Sequence, residues 1–314
     1  MNSRKPLDAT AILWMALTCC IWAFQQIALK ATGDLAAPVF QIGFRSGVAA
    51  ILVLAVILFR RERLELWGPT AFAGAVAGVL FAVEFLLVGI SIRYTSASHV
   101  VVFLYTAPIF AGLGLHLKLP SERLSVMQWS GIGLAAAGIA IAFLAHAPQP
   151  DGGLGDMLIG DVLALLAGAL WGFTTFLIRV TRLSSTPATH TLFYQLATGA
   201  VLLIGSAVVT GHAGIVPTPL LFAELAFQSL VVSFFSYLAW FWLLTRYRAS
   251  ELGVFSFSTP LLGVVLGWLL LGEPLTGTFL AGSALVLIGI MTVSAYPWLS
   301  QRRATARESR TPAE

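Results

Sequence analysis

Ten apolar stretches of about 20 residues follow one another along this chain, joined by links too short to hold a further domain. A helix of that length rises about 30 Å, the thickness of the hydrocarbon core of a bilayer, so each stretch reads as a membrane-spanning helix. The spans are expected at 10–31, 37–59, 67–91, 95–117, 123–145, 157–180, 187–210, 218–245, 249–271 and 276–298. With 58% hydrophobic and 10% charged residues, against about 25% charged in an ordinary soluble domain, the chain is excluded from the soluble globular class. The expected fold is therefore an all-α integral membrane protein of ten transmembrane helices.

The ten spans divide into two sets of five. The segment HAPQPDGGLGD at 146–156, rich in Pro, Gly and Asp, suits a surface linker. It separates 8–145 from 157–298, and the polar, charged stretch 299–314 reads as a disordered tail. The apolar run of the first span is longer than a signal core and lacks a small-residue cleavage site ahead of a soluble region, so it is expected to stay on the protein. Cys19 and Cys20 are adjacent within one helix, which suits neither a structural disulfide nor a four-ligand metal site, and no metal or cofactor is expected.

Lys and Arg resist translocation and mark the cytoplasmic side. With the N-terminus inside, fifteen of the eighteen basic residues fall on that side, Lys30 and Arg93 fall outside, and Arg45 lies within a span. Both termini are expected to be cytoplasmic. The net charge of +4 is then a topology signal, and scattered loop arginines give no nucleic-acid-binding pattern.

The two halves also match residue by residue. IWAFQQIALK at 21–30 lies over LWGFTTFLIR at 170–179, setting Trp22 on Trp171. SASHVVVFLYTAPIF at 96–110 lies over RASELGVFSFSTPLL at 248–262, setting Pro108 on Pro260. ERLSVMQWSGIGLAAAG at 122–138 lies over EPLTGTFLAGSALVLIG at 273–289, pairing Glu122 with Glu273, Gly131 with Gly282 and Gly138 with Gly289. Two consecutive copies with an odd number of spans enter the membrane upside down relative to each other, an arrangement many secondary transporters use to build a central site.

The Trp of the first helix, the Pro within the fourth, and the Glu with spaced glycines that opens the fifth resemble the EamA repeat of the drug/metabolite transporter superfamily. The resemblance covers about 8–298. The ten-span arrangement is similar to YddG-type amino-acid exporters, which implies a bacterial inner-membrane protein, multi-pass, with a cavity between the halves. The pattern departs at Pro120 and Ser121, where the family usually has Gly before the Glu, and in the second copy at Leu196 and Ala197, where the family-like Phe44 and Arg45 have no charged counterpart.

An ionisable side chain at mid-depth costs about 2.5–3.5 kcal/mol on insertion scales, so it normally faces a cavity or a partner. Arg45 and Glu84 are the deep pair. Either they form an ion pair that holds two helices together, or they face the cavity, where one binds the carboxylate or ammonium of a zwitterion or Glu84 carries a proton. His99 lies toward the outer end of its helix, solvated at the interface or, with Gln25, a substrate-binding candidate of the cavity or part of a proton relay. With Glu84, Gln25, Gln26 and Gln41 it makes a polar set in the outer half that suggests an aqueous vestibule. Glu224 and Glu251, near helix ends, read as solvated. Trp22 and Trp171 are mid-helix, where an indole N–H needs a partner, and with Tyr105 and Tyr237 they are the aromatic cavity candidates. Pro108 and Pro260 each remove an intrahelical hydrogen bond beside hydroxyl residues, so kinks, and a symmetric pair of hinges, are expected there.

No HExxH, GxSxG or phosphate-cradling Gly-Lys-Ser/Thr motif occurs, so the chain is not read as an enzyme. The expected function is a secondary transporter that exports small metabolites, neutral and aromatic amino acids above all, by alternating access. Multidrug or other metabolite efflux is the alternative, with a channel less favoured. Its partners are then a small-molecule substrate and the lipid bilayer, with proton coupling an open matter.

Overall fold

In the computed structural model, residues 7–120, 123–144, 154–247 and 249–308 are described. They form helices and turns, with a lone antiparallel bridge between Ala36 and Ile215. α1 (Ala9–Ala31) starts at Asp8, whose carboxylate accepts Ala11 N–H at 2.8 Å, an N-cap. α2 (Pro38–Phe59) and α3 (Pro69–Tyr94) each begin with a proline, whose missing N–H costs nothing in the first turn. The fourth span is broken. α4 (Ala97–Leu104) ends at the Tyr105–Thr106 turn, and α5 (Ala107–Lys118) starts with Pro108 in its first turn. Thr106 Oγ1 donates to Phe103 O at 2.6 Å, so a hydroxyl takes up a carbonyl at the break.

The first half closes with α6 (Val126–Leu144). The second half runs through α7 (Leu154–Val180), α8 (Ala188–Val209), α9 (Pro219–Ala226), a π-helical stretch (Phe227–Ser236), α10 (Tyr237–Arg246), α11 (Ala249–Ser256), α12 (Ser258–Leu271) and α13 (Gly277–Glu308). Its fourth span is broken where the first half is, at Phe257 ahead of Pro260, and Ser258 Oγ donates to Phe255 O at 2.8 Å. α12 stops at Gly272, whose φ of +65° is the left-handed conformation that glycine adopts without strain.

Ten helical spans result, eight of them long and apolar enough to cross a membrane. The chain is a multi-pass membrane protein. Two expectations on domain ends need adjustment. α13 continues to Glu308, through residues assigned from composition to a disordered tail; 309–314 lie outside the described residues. α7 starts at Leu154, inside the segment read as linker, of which 146–153 lie outside the described residues.

The halves face each other by a two-fold rule. α2 packs on its counterpart α8, and α6 on its counterpart α13; α5 packs on α7 as α12 packs on α1. Along the α6–α13 seam a Cβ on Gly131 would stand 2.8 Å from Gly289 O, and one on Gly138 only 2.6 Å from Gly282 O. Since the repeat equates Gly131 with Gly282 and Gly138 with Gly289, exchanging the halves turns one contact into the other. The early residue of α6 meets the late residue of α13, so these equivalent helices are antiparallel and the halves are inverted. Bare Cα atoms permit that approach, the usual route to close helix packing without a hydrophobic drive.

Candidate functional site

A cavity of about 170 Å³ lies where the halves meet. α1 supplies Trp22, Gln25 and Gln26; α3 supplies Phe81, Glu84 and Phe85; α4 and its terminal turn supply Val101, Leu104 and Tyr105. The second half adds Trp171 from α7, Leu192 and Gln195 from α8, and Tyr237 and Trp240 from α10. The sequence alignment of Trp22 with Trp171 thus becomes a spatial one, with the two rings on one cavity from opposite halves.

The aromatic wall is built of edge contacts. Tyr105 meets Trp171 at 5.3 Å between centroids and 85°, and Trp22 meets Trp240 at 5.5 Å and 63°. Such T-shaped pairs set a positive ring edge on a negative face. Trp22 Nε1 finds the partner its depth requires in Ser236 Oγ at 2.8 Å, a residue of the π-helical stretch. The polar members are Gln25, Gln26, Gln195 and Glu84. Glu84 is 4% exposed and makes no hydrogen bond or ion pair with another described residue.

Arg45 is placed behind this wall rather than on it. Its guanidinium, 2% exposed, donates through Nη1 to Gln25 Oε1 at 2.8 Å and to Gln228 Oε1, and stands 4.9 Å over the Phe85 ring. Gln228 Nε2 in turn donates to Gln25 O at 2.9 Å. The direct Arg45–Glu84 pair offered by the sequence does not close. Two glutamines, one on α1 and one on the π-helical stretch, hold the guanidinium over the ring of Phe85, which is the residue next to Glu84 on α3.

His99 lies outside the cavity and away from solvent, contrary to its expected place at a wet interface. It is 4% exposed, with Nδ1 at 2.9 Å from Asp161 Oδ2 and its ring stacked on Phe279 at 4.0 Å. Thr95 Oγ1 donates to the same carboxylate at 2.6 Å. Asp161 escaped the sequence reading because it lies only seven residues into α7, where a charge is usually solvated. Gln41 also leaves the expected vestibule, for its amide donates to Thr32 O and Ala36 O and fastens a loop.

Glu224 corrects a further expectation. It is buried, and neither carboxyl oxygen has a hydrogen-bond partner among the described residues; the side chain of Glu251 lies outside the described residues. Pro108 and Pro260 occupy the two helix breaks, next to Tyr105 of the cavity and Phe257 of the core. At one end of the bundle Glu273 accepts Ala97 N–H at 2.6 Å, Ser98 N–H at 3.0 Å and Ser98 Oγ–H at 2.6 Å, with Lys30 Nζ at 3.5 Å. At the other end Tyr247 Oη donates to the Asp8 carboxylate at 3.0 Å. Side-chain ties between the halves thus stand at both ends of the bundle. No group of three or more His, Cys, Asp or Glu suited to a metal ion occurs among the described residues.

Comparison with known proteins agrees with this architecture. The profile of the EamA-like transporter family matches twice, over residues 9–144 and 158–295. The uncharacterized transporter YvbV of Bacillus subtilis (strain 168) is 27% identical over 297 residues, covering 93% of each chain. The uncharacterized transporter YoaV of the same organism is 23% identical over 86% of this chain and 91% of its own. An S-adenosylmethionine/S-adenosylhomocysteine transporter of Chlamydia trachomatis serovar L2 is 25% identical over 91% of this chain and 89% of its own. A solved crystal structure superposes with a TM-score of 0.65 at 20% identity, covering 96% of this chain and 98% of the other, a likeness of fold.

Proposed function

This chain belongs to the EamA-like transporter family, and from that premise we propose that it exports small amphipathic metabolites, neutral and aromatic amino acids first among them, by alternating exposure of the central cavity. The observation that carries the reading is the cavity wall, three tryptophans and two tyrosines around a carboxyl and three amides. Aromatic faces bury an apolar or aromatic side chain and attract an ammonium, while the few polar groups fix orientation. In this reading Glu84, on the cavity wall, receives the amino group, and Gln25 and Gln195 offer amide hydrogens to a carboxylate. A phosphate-bearing cargo would call for a basic cluster, and Arg45 is held behind Phe85.

Inverted halves and paired helix breaks support alternating access over a continuous pore, with Pro108 and Pro260 as the hinges. The distribution of Lys and Arg supports both termini being cytoplasmic, and the family resemblance supports a bacterial inner-membrane location. Efflux of drugs or other metabolites is the second reading. An unpaired carboxyl among aromatic rings also suits a cationic metabolite, and the sulfonium cargo in the name of the chlamydial relative belongs to that class.

Counterflow in proteoliposomes tests the proposal, with radiolabelled aromatic and aliphatic amino acids and S-adenosylmethionine supplied separately. Saturable, trans-stimulated flux of phenylalanine or tryptophan is expected. Flux of the sulfonium compound alone would move the function to the second reading, and flux through an unsaturable conductance would replace a carrier by a channel.

A further inference from the structure

The strongest unassigned feature is the charge cluster between the cavity and α9. Glu224, at 6% exposure, carries two unpartnered carboxyl oxygens, and Gln228 one turn on gives an amide hydrogen to Gln25 O instead. Arg45 uses Nη1 on Gln25 and Gln228 and leaves Nε without a partner. Two buried acids flank this one guanidinium: Glu84 precedes Phe85, whose ring the guanidinium overlies, and Glu224 stands one turn before Gln228, which accepts from Arg45, with Tyr237 of the cavity wall the remaining titratable group nearby. The neighbouring helices add neutral groups: Gln25 and Gln26 from α1, Phe85 from α3 and Gln195 from α8.

The charge count carries the argument. One guanidinium and two ionised carboxyls leave one uncompensated negative charge inside the membrane, and an uncompensated buried charge is the costly case. One proton on the pair of acids removes it. Because both acids interact with the same cation, they titrate as a unit rather than separately. The π-helical stretch that starts three residues after Glu224 carries the buried Ser229 and Ser233 hydroxyls, also unpartnered, toward Ser236 and the cavity. π-Helical segments often mark functional sites. Here the stretch runs from the helix of Glu224 to Ser236, the partner of Trp22.

We propose that Arg45, Glu84 and Glu224 form a proton-binding triad in which the two carboxyls share one exchangeable proton, and that a cationic group of the cargo arriving at Glu84 displaces it. The cargo cation then neutralises Glu84, Arg45 neutralises Glu224, a carboxyl O–H bond breaks, and the proton passes to water. Charge in the triad is unchanged by the exchange, so inward proton flow drives outward cargo flow one for one. The coupling half of this proposal rests on the carrier reading; the shared proton does not.

Infrared difference spectra of the purified protein in lipid, between about pH 5 and about pH 9, test the proton without any cargo; surface carboxyls titrate below that window. The native protein should lose one protonated-carboxyl band as pH rises. Glu224→Gln and Glu84→Gln should each abolish it, since the remaining acid has Arg45 to itself, and Arg45→Gln should enlarge it. Absence of the band in the native protein, or its loss in one glutamine variant alone or in neither, overturns the triad. Both glutamine substitutions keep side-chain size, and size-exclusion profiles confirm folding should Arg45→Gln fail. In proteoliposomes, Glu224→Gln should lose accumulation driven by a pH gradient while retaining counterflow. Native accumulation in that variant refutes the coupling. Absence of counterflow in the native protein would count against the cargo assignment, with the spectroscopic proton unaffected.

Discussion

Removing the Glu273 carboxylate tests how the halves are fastened at one end of the cavity. Oε1 accepts Ala97 N–H at 2.6 Å and stands 3.5 Å from Lys30 Nζ, while Oε2 accepts Ser98 N–H at 3.0 Å and Ser98 Oγ–H at 2.6 Å. It thus caps α4 from the link between α12 and α13. In Glu273→Ala, two backbone N–H groups and a hydroxyl lose an ionised acceptor, and bonds of that kind contribute about 1.5–3 kcal/mol each. The losses share one side chain and do not add. Truncating one member of a buried charged pair, about 3–5 kcal/mol, is the better measure. Lys30 places the value at the lower end, because its side chain is 31% exposed and keeps Thr95 O at 2.6 Å. The expected loss is about 3 kcal/mol, roughly two decades in the unfolding equilibrium constant. Glu273→Gln, which retains an acceptor oxygen, should lose about half as much, and Lys30→Met less than about 1 kcal/mol. Denaturant titration in mixed micelles reads all three. An alanine variant within about 1 kcal/mol of the native protein would refute the capping role, as would one no weaker than the glutamine variant.

The α6–α13 seam should behave symmetrically: at the equivalent positions Gly131→Ala and Gly282→Ala, whose new methyls would each meet a carbonyl oxygen at 2.8 Å, should each cost about 1–3 kcal/mol in the same titration. Gly133→Ala, with nothing within 4 Å, should change stability by less than about 1 kcal/mol. Trp22→Phe loses the bond to Ser236 but keeps an aromatic face, so its transport should persist at a stability cost of about 1 kcal/mol. Alanine at Trp22, Trp171 or Tyr105 should lower transport with protein still in the membrane, as read by counterflow against immunoblot; normal flux in all three would remove the aromatic-wall assignment. Asp161→Ala leaves His99 and the Thr95 hydroxyl unpaired in a buried site, so a loss of about 1–3 kcal/mol per orphaned group is expected on thermal melting, and Asp161→Asn should recover part of it.

The spans were legible because lipid imposes a local rule. Each segment must be apolar enough and satisfy its own backbone, and both properties are written within some twenty consecutive residues. The duplicated Trp, Pro and Gly positions were legible for a related reason, since a repeat is visible without knowing what it touches. Trp22, Gln25, Glu84, Tyr105, Trp171 and Tyr237 therefore stood out before their cavity did, and it gathers them from both halves. The helix breaks at Pro108 and Pro260 followed from proline chemistry alone.

Arg45 and His99 show where that legibility stops. Depth singled out Arg45, but its hydrogen-bonding partners are Gln25 and Gln228, the latter distant in sequence and positioned by a π-helical stretch that no periodicity announced. His99 and Asp161 each look like solvated residues near a helix end, and they become a buried pair only because α4 and α7, from opposite halves, lie side by side. Glu224 is the same case. The sequence by itself determined that this chain crosses a membrane as two inverted copies of five helices. Tertiary structure alone decided which polar faces meet, because that depends on how each helix is rotated and packed against helices from the other half, and lipid places no constraint on it.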